Sequence, residues 1–156
     1  MLYYSMVYPH LTYCIEAYAN TNKTNLQPLR TVNNTLLRIL LFESLYTPLK
    51  TLYSSFNTLD IELLFQFHIL KFVYKWIHCR DQLPFSFKYY FELASSVHGL
   101  NLRTSNNLQI YPVNTSLGER NLKIFFCKLW NKYPSLHNIV NVKSFMRELY
   151  DLFQVA

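Results

Sequence analysis

With 156 residues, the chain has the length of one typical domain and can bury a hydrophobic core without disulfides or metals. Hydrophobic residues make up 51% and aromatic residues 17%, whereas only 15% are charged, against about 25% in an average soluble domain. Fifteen Lys and Arg against nine Asp and Glu give a formal net charge of +6. Such a charge favours an encounter with nucleic acid or an anionic membrane, but it does not define a binding site.

The cysteines and the apolar start of the chain indicate the compartment. Cys14, Cys79 and Cys127 lie far apart and include no CxxC pair, which predicts neither a disulfide framework nor a zinc knuckle and is typical of a reducing compartment. No Lys or Arg precedes Lys23, so the basic region of a secretory signal is missing. We expect an intracellular protein, in the nucleus or the cytoplasm, that is not secreted.

Two glycines and long apolar runs with a period of 3.6 residues predict a mainly α, bundle-like fold. The expected architecture is an antiparallel helix pair at the N-terminus, a long central helix and two C-terminal helices. Residues 100–113 have the pattern of a loop, with short strands as the alternative. Residues 1–46 are expected to form the helical pair, and residues 47–156 a C-terminal helical region packed against it in one compact unit.

The stretch "YYSMVYPHLTYCIEAYA" predicts an internal helix, over residues 2–19, whose upstream partners lie outside the chain. A bend or restart is expected at Pro9, because proline removes a donor and clashes with the preceding turn. A second helix is predicted from a cap at Asn25 to Leu41. Thr47 and Pro48 then have the pattern of an N-cap and a first helical position, which opens a short helix to about Phe56.

The strongest predicted helix begins after a cap at Asp60 and ends near Cys79. Its apolar residues form two stripes on roughly opposite sides, so we expect a central helix that is buried on two sides. A narrow basic strip runs between the stripes: His68, Lys71, Lys75 and His78. This strip could meet phosphate, but we expect it to face water. Charged residues interrupt the apolar run, so no membrane span is predicted.

Helical patterns become weaker and then return towards the C-terminus. The stretch "FSFKYYFEL" predicts one or two helical turns, and a strand is possible over Leu108–Tyr111. The next helix covers "NLKIFFCKLWNKY" and is stopped by Pro134. A last helix is expected over about Val142–Phe153.

No catalytic motif stands out in the sequence. Two-metal chemistry needs clustered carboxylates, whereas the three aspartates are scattered, and the two isolated glycines exclude a nucleotide cradle. His10 and Cys14 would share a helix face and His78 adjoins Cys79, but neither pair makes a four-ligand metal set. We expect no catalytic residue, no metal site, no cofactor and no small-molecule substrate. A hydrolase site built from distant residues stays open as the weakest alternative.

Three segments carry ordered motifs over nearly the whole chain. Residues 2–26 contain Pro9-His10-Leu11, residues 102–107 contain Arg103-Thr104, and residues 117–145 contain Lys128-Leu129-Trp130-Asn131. In this order and spacing they resemble the C-terminal region of reverse transcriptases from non-LTR retrotransposons of the jockey-like kind. The first segment is similar to the one that follows the palm in these enzymes.

The resemblance implies the thumb and post-thumb region of an RNA-directed DNA polymerase. The fingers and the palm, with the catalytic aspartates and their Mg²⁺, would lie upstream, so this chain would be no enzyme. Residues 1–46 would be a thumb-like pair that packs along the template-primer duplex. The implied partners are the upstream palm and fingers and, weakly and non-specifically, the backbone of RNA or DNA, with no membrane.

The candidate nucleic-acid contacts are six basic residues: Lys71, Lys75, Arg120, Lys123, Lys128 and Lys132. Relatives usually carry adjacent basic residues where Asn33 and Asn34 stand, and a lysine-rich terminal helix where this chain has "FMRELYDLF". Each neutralised phosphate adds salt-sensitive affinity, so these differences imply weak binding. The alternative is a helical protein-interaction or structural module with no nucleic-acid role.

Overall fold

The computed structural model describes residues 2–98 and 106–155, and within these ranges the fold is mainly α, as predicted. The motif residues Arg103 and Thr104 lie outside the described residues. In chain order the elements are a π-helix Tyr3–Val7, α1 Tyr8–Thr12, α2 Ile15–Tyr18, α3 Lys23–Leu41, α4 Leu49–Ser55, α5 Ile61–His78, a 3₁₀ turn Arg80–Gln82, α6 Phe85–Lys88, α7 Ala94–His98, α8 Ser116–Glu119, α9 Leu122–Lys132, a 3₁₀ turn Pro134–Leu136 and α10 Val142–Val155.

The chain divides into two compact units. Unit 1 comprises Met1–His68 with Leu152–Ala156, and unit 2 comprises Ile69–Asp151. The boundary at residue 46 that the sequence suggested stays a prediction.

The first helix changes from a π-helix to α1 beside Pro9, where a bend or restart was expected, and it breaks at Tyr13 and Cys14, where no break was predicted. Pro9 lies in the first turn of α1, where a missing N–H is tolerated. The preceding turn is a π-helix in which the Tyr8 N–H donates to the carbonyl of Tyr3. The backbone hydrogen bond just before Pro9 therefore already spans five residues and not four. Cys14 has φ 51° and ψ 31°, in the left-handed region, and the chain restarts from it as α2.

Helix boundaries in the rest of unit 1 differ by one to three residues from the predicted ones. α3 begins two residues before Asn25, whose side chain donates to Thr21 Oγ1 at 2.9 Å and does not cap the helix. α4 begins one residue after Pro48, while the Thr47 hydroxyl donates to the Glu43 carboxylate at 3.0 Å. Polar side chains near these helix starts therefore bond to other side chains, which a capping pattern does not reveal.

The buried face of α3 contains two asparagines. Asn33 and Asn34 are only 2% and 9% exposed. The Tyr3 hydroxyl donates to Asn33 Oδ1 at 3.1 Å, and the Tyr53 hydroxyl donates to Asn34 Oδ1. Burial in this network raises the pKa of Tyr53 above its ordinary value. The core of unit 1 is therefore partly polar, and the side-chain oxygens of both asparagines accept a hydrogen bond from a tyrosine.

Asp60 connects this network to the start of α5. Its backbone carbonyl accepts the Leu64 N–H at 2.7 Å, as expected of a residue that precedes a helix. Its carboxylate pairs with the Arg30 guanidinium and accepts the Tyr53 hydroxyl at 3.2 Å. Asp60 therefore joins α3, α4 and α5 within unit 1 through one carboxylate.

α5 is buried on two sides, which confirms the two apolar stripes. The side chains with under a tenth of their surface exposed include Leu64, Phe65, Phe67, Ile69, Leu70, Val73, Tyr74 and Trp76. Within unit 2, the Tyr74 ring stacks on Phe145 with centroids 4.1 Å apart, and the Tyr74 hydroxyl donates to the carbonyl of Val140. Aromatic stacking therefore fixes α10 against this part of α5.

The predicted strand over Leu108–Tyr111 is reduced to one isolated antiparallel bridge, between Leu93 and Leu108. Two backbone hydrogen bonds flank the bridge, from Ala94 N to Asn107 O at 2.9 Å and from Gln109 N to Glu92 O at 2.8 Å. No strand occurs in residues 2–98 or 106–155. The alternation of the sequence here is too short to extend a ladder beyond these bonds.

Removal of the Tyr53 hydroxyl tests the network of unit 1. Tyr53→Phe leaves the buried Asn34 carbonyl without this donor, so we expect the free energy of unfolding to fall by about 1–3 kcal/mol. Urea denaturation followed by circular dichroism measures it. Tyr46→Phe is the control, because Tyr46 is 94% exposed, and its effect should stay within about 0.5 kcal/mol. Equal stability of the two variants would contradict a structural role for the hydroxyl.

Candidate nucleic-acid interface

The two units differ in charge. Residues 69–151 contain eleven Lys and Arg and five Asp and Glu, for a net +6, whereas unit 1 contains four of each and is neutral. Charges in unit 1 also pair with one another. Lys23 Nζ lies 3.1 Å from the Glu62 carboxylate, and His68 Nδ1 lies 3.3 Å from that of Glu16. The whole formal net charge of the chain therefore falls on unit 2.

All six candidate contact residues lie in unit 2. Lys71 and Lys75 are one turn apart on α5, where Lys71 is half-buried and Lys75 exposed. The flanking histidines do not extend the basic strip, because His68 pairs with Glu16 and the His78 ring packs on Tyr74 with centroids 4.6 Å apart. The strip therefore consists of two lysines.

The candidates on α9 do not share one face. Lys128 and Lys132 are four residues apart and lie on one side of the helix, whereas Lys123 lies well round from them. Lys128 Nζ is 3.4 Å from the Glu119 carboxylate, and Lys132 Nζ lies 5.4 Å from the ring centroid of Tyr133. Arg120 follows α8 at the exposed surface. The structure therefore shows separate cations on α9 and no single basic patch there.

Lys123 is placed among aromatic rings. Its Nζ lies 5.9 Å from the ring centroid of Tyr90 and 6.0 Å from that of Tyr111, within the range of a cation–π contact. The Tyr111 hydroxyl donates to the Glu92 carboxylate, and this bond raises the pKa of Tyr111 above its ordinary value. Lys123 was expected from the sequence, whereas these two tyrosines come from other segments of the chain and no sequence pattern linked them to it.

The motif Lys128-Leu129-Trp130-Asn131 is mostly structural. Leu129 and Trp130 are 6% and 1% exposed. The Trp130 ring stacks on His137 with centroids 4.7 Å apart and an interplanar angle of 6°. The Asn131 side chain donates to the carbonyl of Leu108 and accepts its N–H, both at 2.9 Å. Only Lys128 of the four is exposed.

The motif Pro9-His10-Leu11 also shows a packing role. Leu11 is buried, whereas Pro9 and His10 are exposed at the surface of unit 1. His10 lines a mostly apolar pocket of about 220 Å³ beside Met6 and Val32. The shared helix face that we expected for His10 and Cys14 was wrong, because the helix is interrupted between them.

Asn33 and Asn34 stand where the resemblance would place basic residues, and both point into unit 1. Their side chains bind Tyr3 and Tyr53, as described above. Lysine or arginine at these positions would need a path from the core to water, because a buried unpaired charge is costly. In this chain these two positions of α3 therefore do not contribute to a nucleic-acid surface.

Among the described residues, the buried cysteine is protonated and no metal-ligand group occurs. Burial raises the pKa of the Cys127 thiol to about 11, so this cysteine is protonated near neutral pH and is a poor nucleophile. No group of three or more His, Cys, Asp or Glu is placed to hold a metal ion in residues 2–98 and 106–155. None of the described helices is both long and apolar enough to cross a bilayer.

The two bonds of Asn131 yield a testable expectation. Asn131→Ala leaves the N–H and the carbonyl of Leu108 without their side-chain partner, so the free energy of unfolding should fall by about 1–3 kcal/mol. Asn138→Ala, at an exposed position, is the matched control. Urea denaturation compares the two variants. If Asn131→Ala proved as stable as the control, the bonds to Leu108 would not hold this segment.

His78 makes the stability of the chain depend on pH. Burial lowers its pKa below the ordinary 6.5, and its Nε2 is inaccessible, with no hydrogen-bond partner among the described residues. Protonation of His78 therefore favours the unfolded state. The contribution of the neutral His78 to stability is fully present above pH 6.5, and it is lost as the pH drops from there through the pKa of the folded state. Denaturation midpoints between about pH 5 and pH 8 should show a smaller loss for His78→Gln. Asn138→Ala, which changes an exposed residue that does not titrate, should retain the wild-type profile.

No protein-family model, curated protein or solved structure matches the chain.

Proposed function

We propose that the chain is the C-terminal region, thumb and post-thumb, of a non-LTR retrotransposon RNA-directed DNA polymerase. We propose further that it contacts template-primer nucleic acid weakly and without sequence specificity, through unit 2. The resemblance of the three motif segments supports the first statement. The observation that supports the second is the confinement of the net charge of +6 to residues 69–151.

A contact through unit 2 is supported by the lysines of this unit that no carboxylate of the described part of the chain neutralises. Phosphates attract cations whose charge is not already neutralised, and each contact releases counterions, which makes the affinity salt-dependent. In unit 1, Arg30 pairs with Asp60 and Lys23 with Glu62. In unit 2, Lys71 and Lys75 have no carboxylate partner among the described residues. The proposed contact therefore lies outside the thumb-like pair that the resemblance alone would favour.

The proposed role does not include catalysis by this chain. Nucleotide transfer would belong to the upstream palm, whose paired aspartates would hold Mg²⁺. Asp60, the aspartate of unit 1, is already bound to Arg30 and Tyr53. The parent-enzyme proposal is tested in the genome, where the reading frame upstream should encode a palm with paired aspartates. A frame without such a palm would overturn it.

A charge-matched pair of variants tests the nucleic-acid contact. Lys71→Gln with Lys75→Gln removes two charges from one face of α5, and Lys143→Gln with Arg147→Gln removes two from exposed positions of α10 with the same spacing. Fluorescence anisotropy against an RNA–DNA hybrid gives log K against log salt. The α5 variant should lower the slope by about 1 for each lysine that contacts a phosphate, and the α10 variant by less.

Two outcomes of this titration would count against the proposal. No binding at about 50 µM protein in low salt, where phosphate contacts are strongest, would reject the nucleic-acid contact and leave the parent-enzyme proposal standing. An equal loss for both double variants would show that α5 has no special part.

The second candidate, a protein-interaction module, rests on exposed apolar side chains in unit 1. Phe42, Leu45 and Tyr46 are 98%, 75% and 94% exposed in the segment between α3 and α4. Clustered exposed apolar groups often mark interaction sites. Size-exclusion chromatography with light scattering distinguishes the candidates. A salt-insensitive oligomer without nucleic acid, dissociated by Phe42→Ser with Tyr46→Ser, would favour the module.

A further inference from the structure

We infer that unit 2 binds single-stranded nucleic acid by stacking bases on Phe85 and Tyr89, a pair that we call the aromatic shelf. The inference rests on the proposed nucleic-acid contact and narrows its ligand from a duplex to an unpaired strand. It is carried by the exposure of two neighbouring rings on a well-packed support, in the unit that holds the positive charge.

The aromatic shelf is exposed and its two rings are adjacent. Phe85 is 76% exposed and Tyr89 is 78% exposed. Their ring centroids lie 6.1 Å apart, edge to face, with an interplanar angle of 78°. Phe85 begins α6 and Tyr89 is its C-cap, so one helical turn sets their spacing. Large apolar rings in water are unfavourable unless something covers them.

The backbone that presents the shelf is anchored from beneath. The indole N–H of Trp76 donates to the carbonyl of Phe87 at 2.9 Å. The Phe87 ring packs on Phe72 with centroids 5.3 Å apart, and Phe91, only 3% exposed, packs on Trp76 at 5.4 Å. Phe85 and Tyr89 are therefore the two most exposed rings of a segment in which Phe91 is buried and Phe87, 36% exposed, packs on Phe72. The shelf is held in place before a ligand arrives, which reduces the entropy lost on binding.

Three cations and the carboxylate of Asp81 lie close to this segment. Lys88, half-buried, stands between the two shelf residues, and its Nζ is 4.0 Å from the exposed carboxylate of Asp81. The Arg80 guanidinium lies over the Trp76 ring, 4.0 Å from its centroid. Lys123 lies over Tyr90, the residue after the shelf. Exposed rings with cations beside them are the arrangement by which single strands are bound, through base stacking and backbone attraction.

An unpaired strand fits this surface better than a duplex. Bases in a duplex are already stacked and paired, and reaching them costs energy, whereas unpaired bases offer free faces to aromatic side chains. A second copy of the chain is the weaker occupant, since docking two copies would bring together units that each carry +6. Charge complementarity therefore favours a polyanion with accessible bases.

Removal of the shelf tests the inference without a change in charge. Phe85→Ser with Tyr89→Ser should weaken binding of a labelled oligonucleotide of about 15 unpaired nucleotides by roughly tenfold or more. The slope of log K against log salt should stay unchanged, because no cation is removed. Phe42→Ser with Tyr46→Ser is the matched control, since it removes two exposed aromatic rings from neutral unit 1. This control should bind as the wild type does.

A second double variant shows whether weaker binding in the first comes from the loss of the rings or from a loss of folding. Phe85→Trp with Tyr89→Trp keeps stacking surfaces and should retain or increase affinity, while circular dichroism reports whether each variant is folded. Serine and tryptophan variants that bind alike would overturn the inference.

The remaining outcomes separate this inference from the proposed function. A chain that binds the strand equally with and without the shelf keeps the proposed function and overturns the inference. Tighter binding of a duplex than of the strand also overturns it. No binding of any nucleic acid overturns the inference and the proposed nucleic-acid contact, and it leaves the parent-enzyme proposal standing. A dimer that the serine variant dissociates, with strand affinity unchanged, would assign the shelf to a copy of the chain.

Discussion

The two hydrogen bonds between the Asn131 carboxamide and the backbone of Leu108 are the constraint on which unit 2 depends. They satisfy a donor and an acceptor of a segment that has no helix and no strand of its own. Leu108 in turn pairs with Leu93, and the flanking bonds fix residues 92–94. Tyr111 is thereby placed beside Glu92 and Lys123. One amide side chain thus positions an aromatic ring, an acid and a cation that are distant in sequence.

Periodicity predicted the elements whose burial is decided locally. α5, α9 and α10 have strong 3.6-residue patterns, and their observed bounds differ from the predicted ones by one or two residues. The break at Tyr13 and Cys14 was not predicted, because a 3.6-residue pattern does not reveal the side-chain bond that accompanies it. The Tyr18 hydroxyl donates to the carbonyl of Leu11, and this bond spans the turn at Cys14. A non-glycine residue in the left-handed region leaves no signal in composition.

The composition of the chain gives the total charge but does not show which part of the fold carries it. A net +6 spread over scattered lysines predicts a weak and diffuse attraction, and the helical wheel of α5 suggested four basic groups where two lysines are available. What the sequence could not show is the pairing inside unit 1, where Asp60 and Glu62 neutralise cations on α3. The two asparagines of α3 follow the same logic. Their helical positions were evident, but their burial depends on Tyr3 and Tyr53.

The aromatic residues divide between the interior and the surface, and residues 85–91 supply rings to both. Tyr74, Trp76, Phe126, Trp130 and Phe145 are all at most 5% exposed, whereas Phe42, Tyr46, Phe85 and Tyr89 are each more than 75% exposed. Residues 85–91 contain both kinds, because Phe91 is buried and Phe87 packs on Phe72 while Phe85 and Tyr89 are exposed. The packed rings hold the backbone of this segment on Phe72 and Trp76. Which rings of the segment are packed depends on these contacts with α5, so a count of aromatic residues could not separate the shelf from the core.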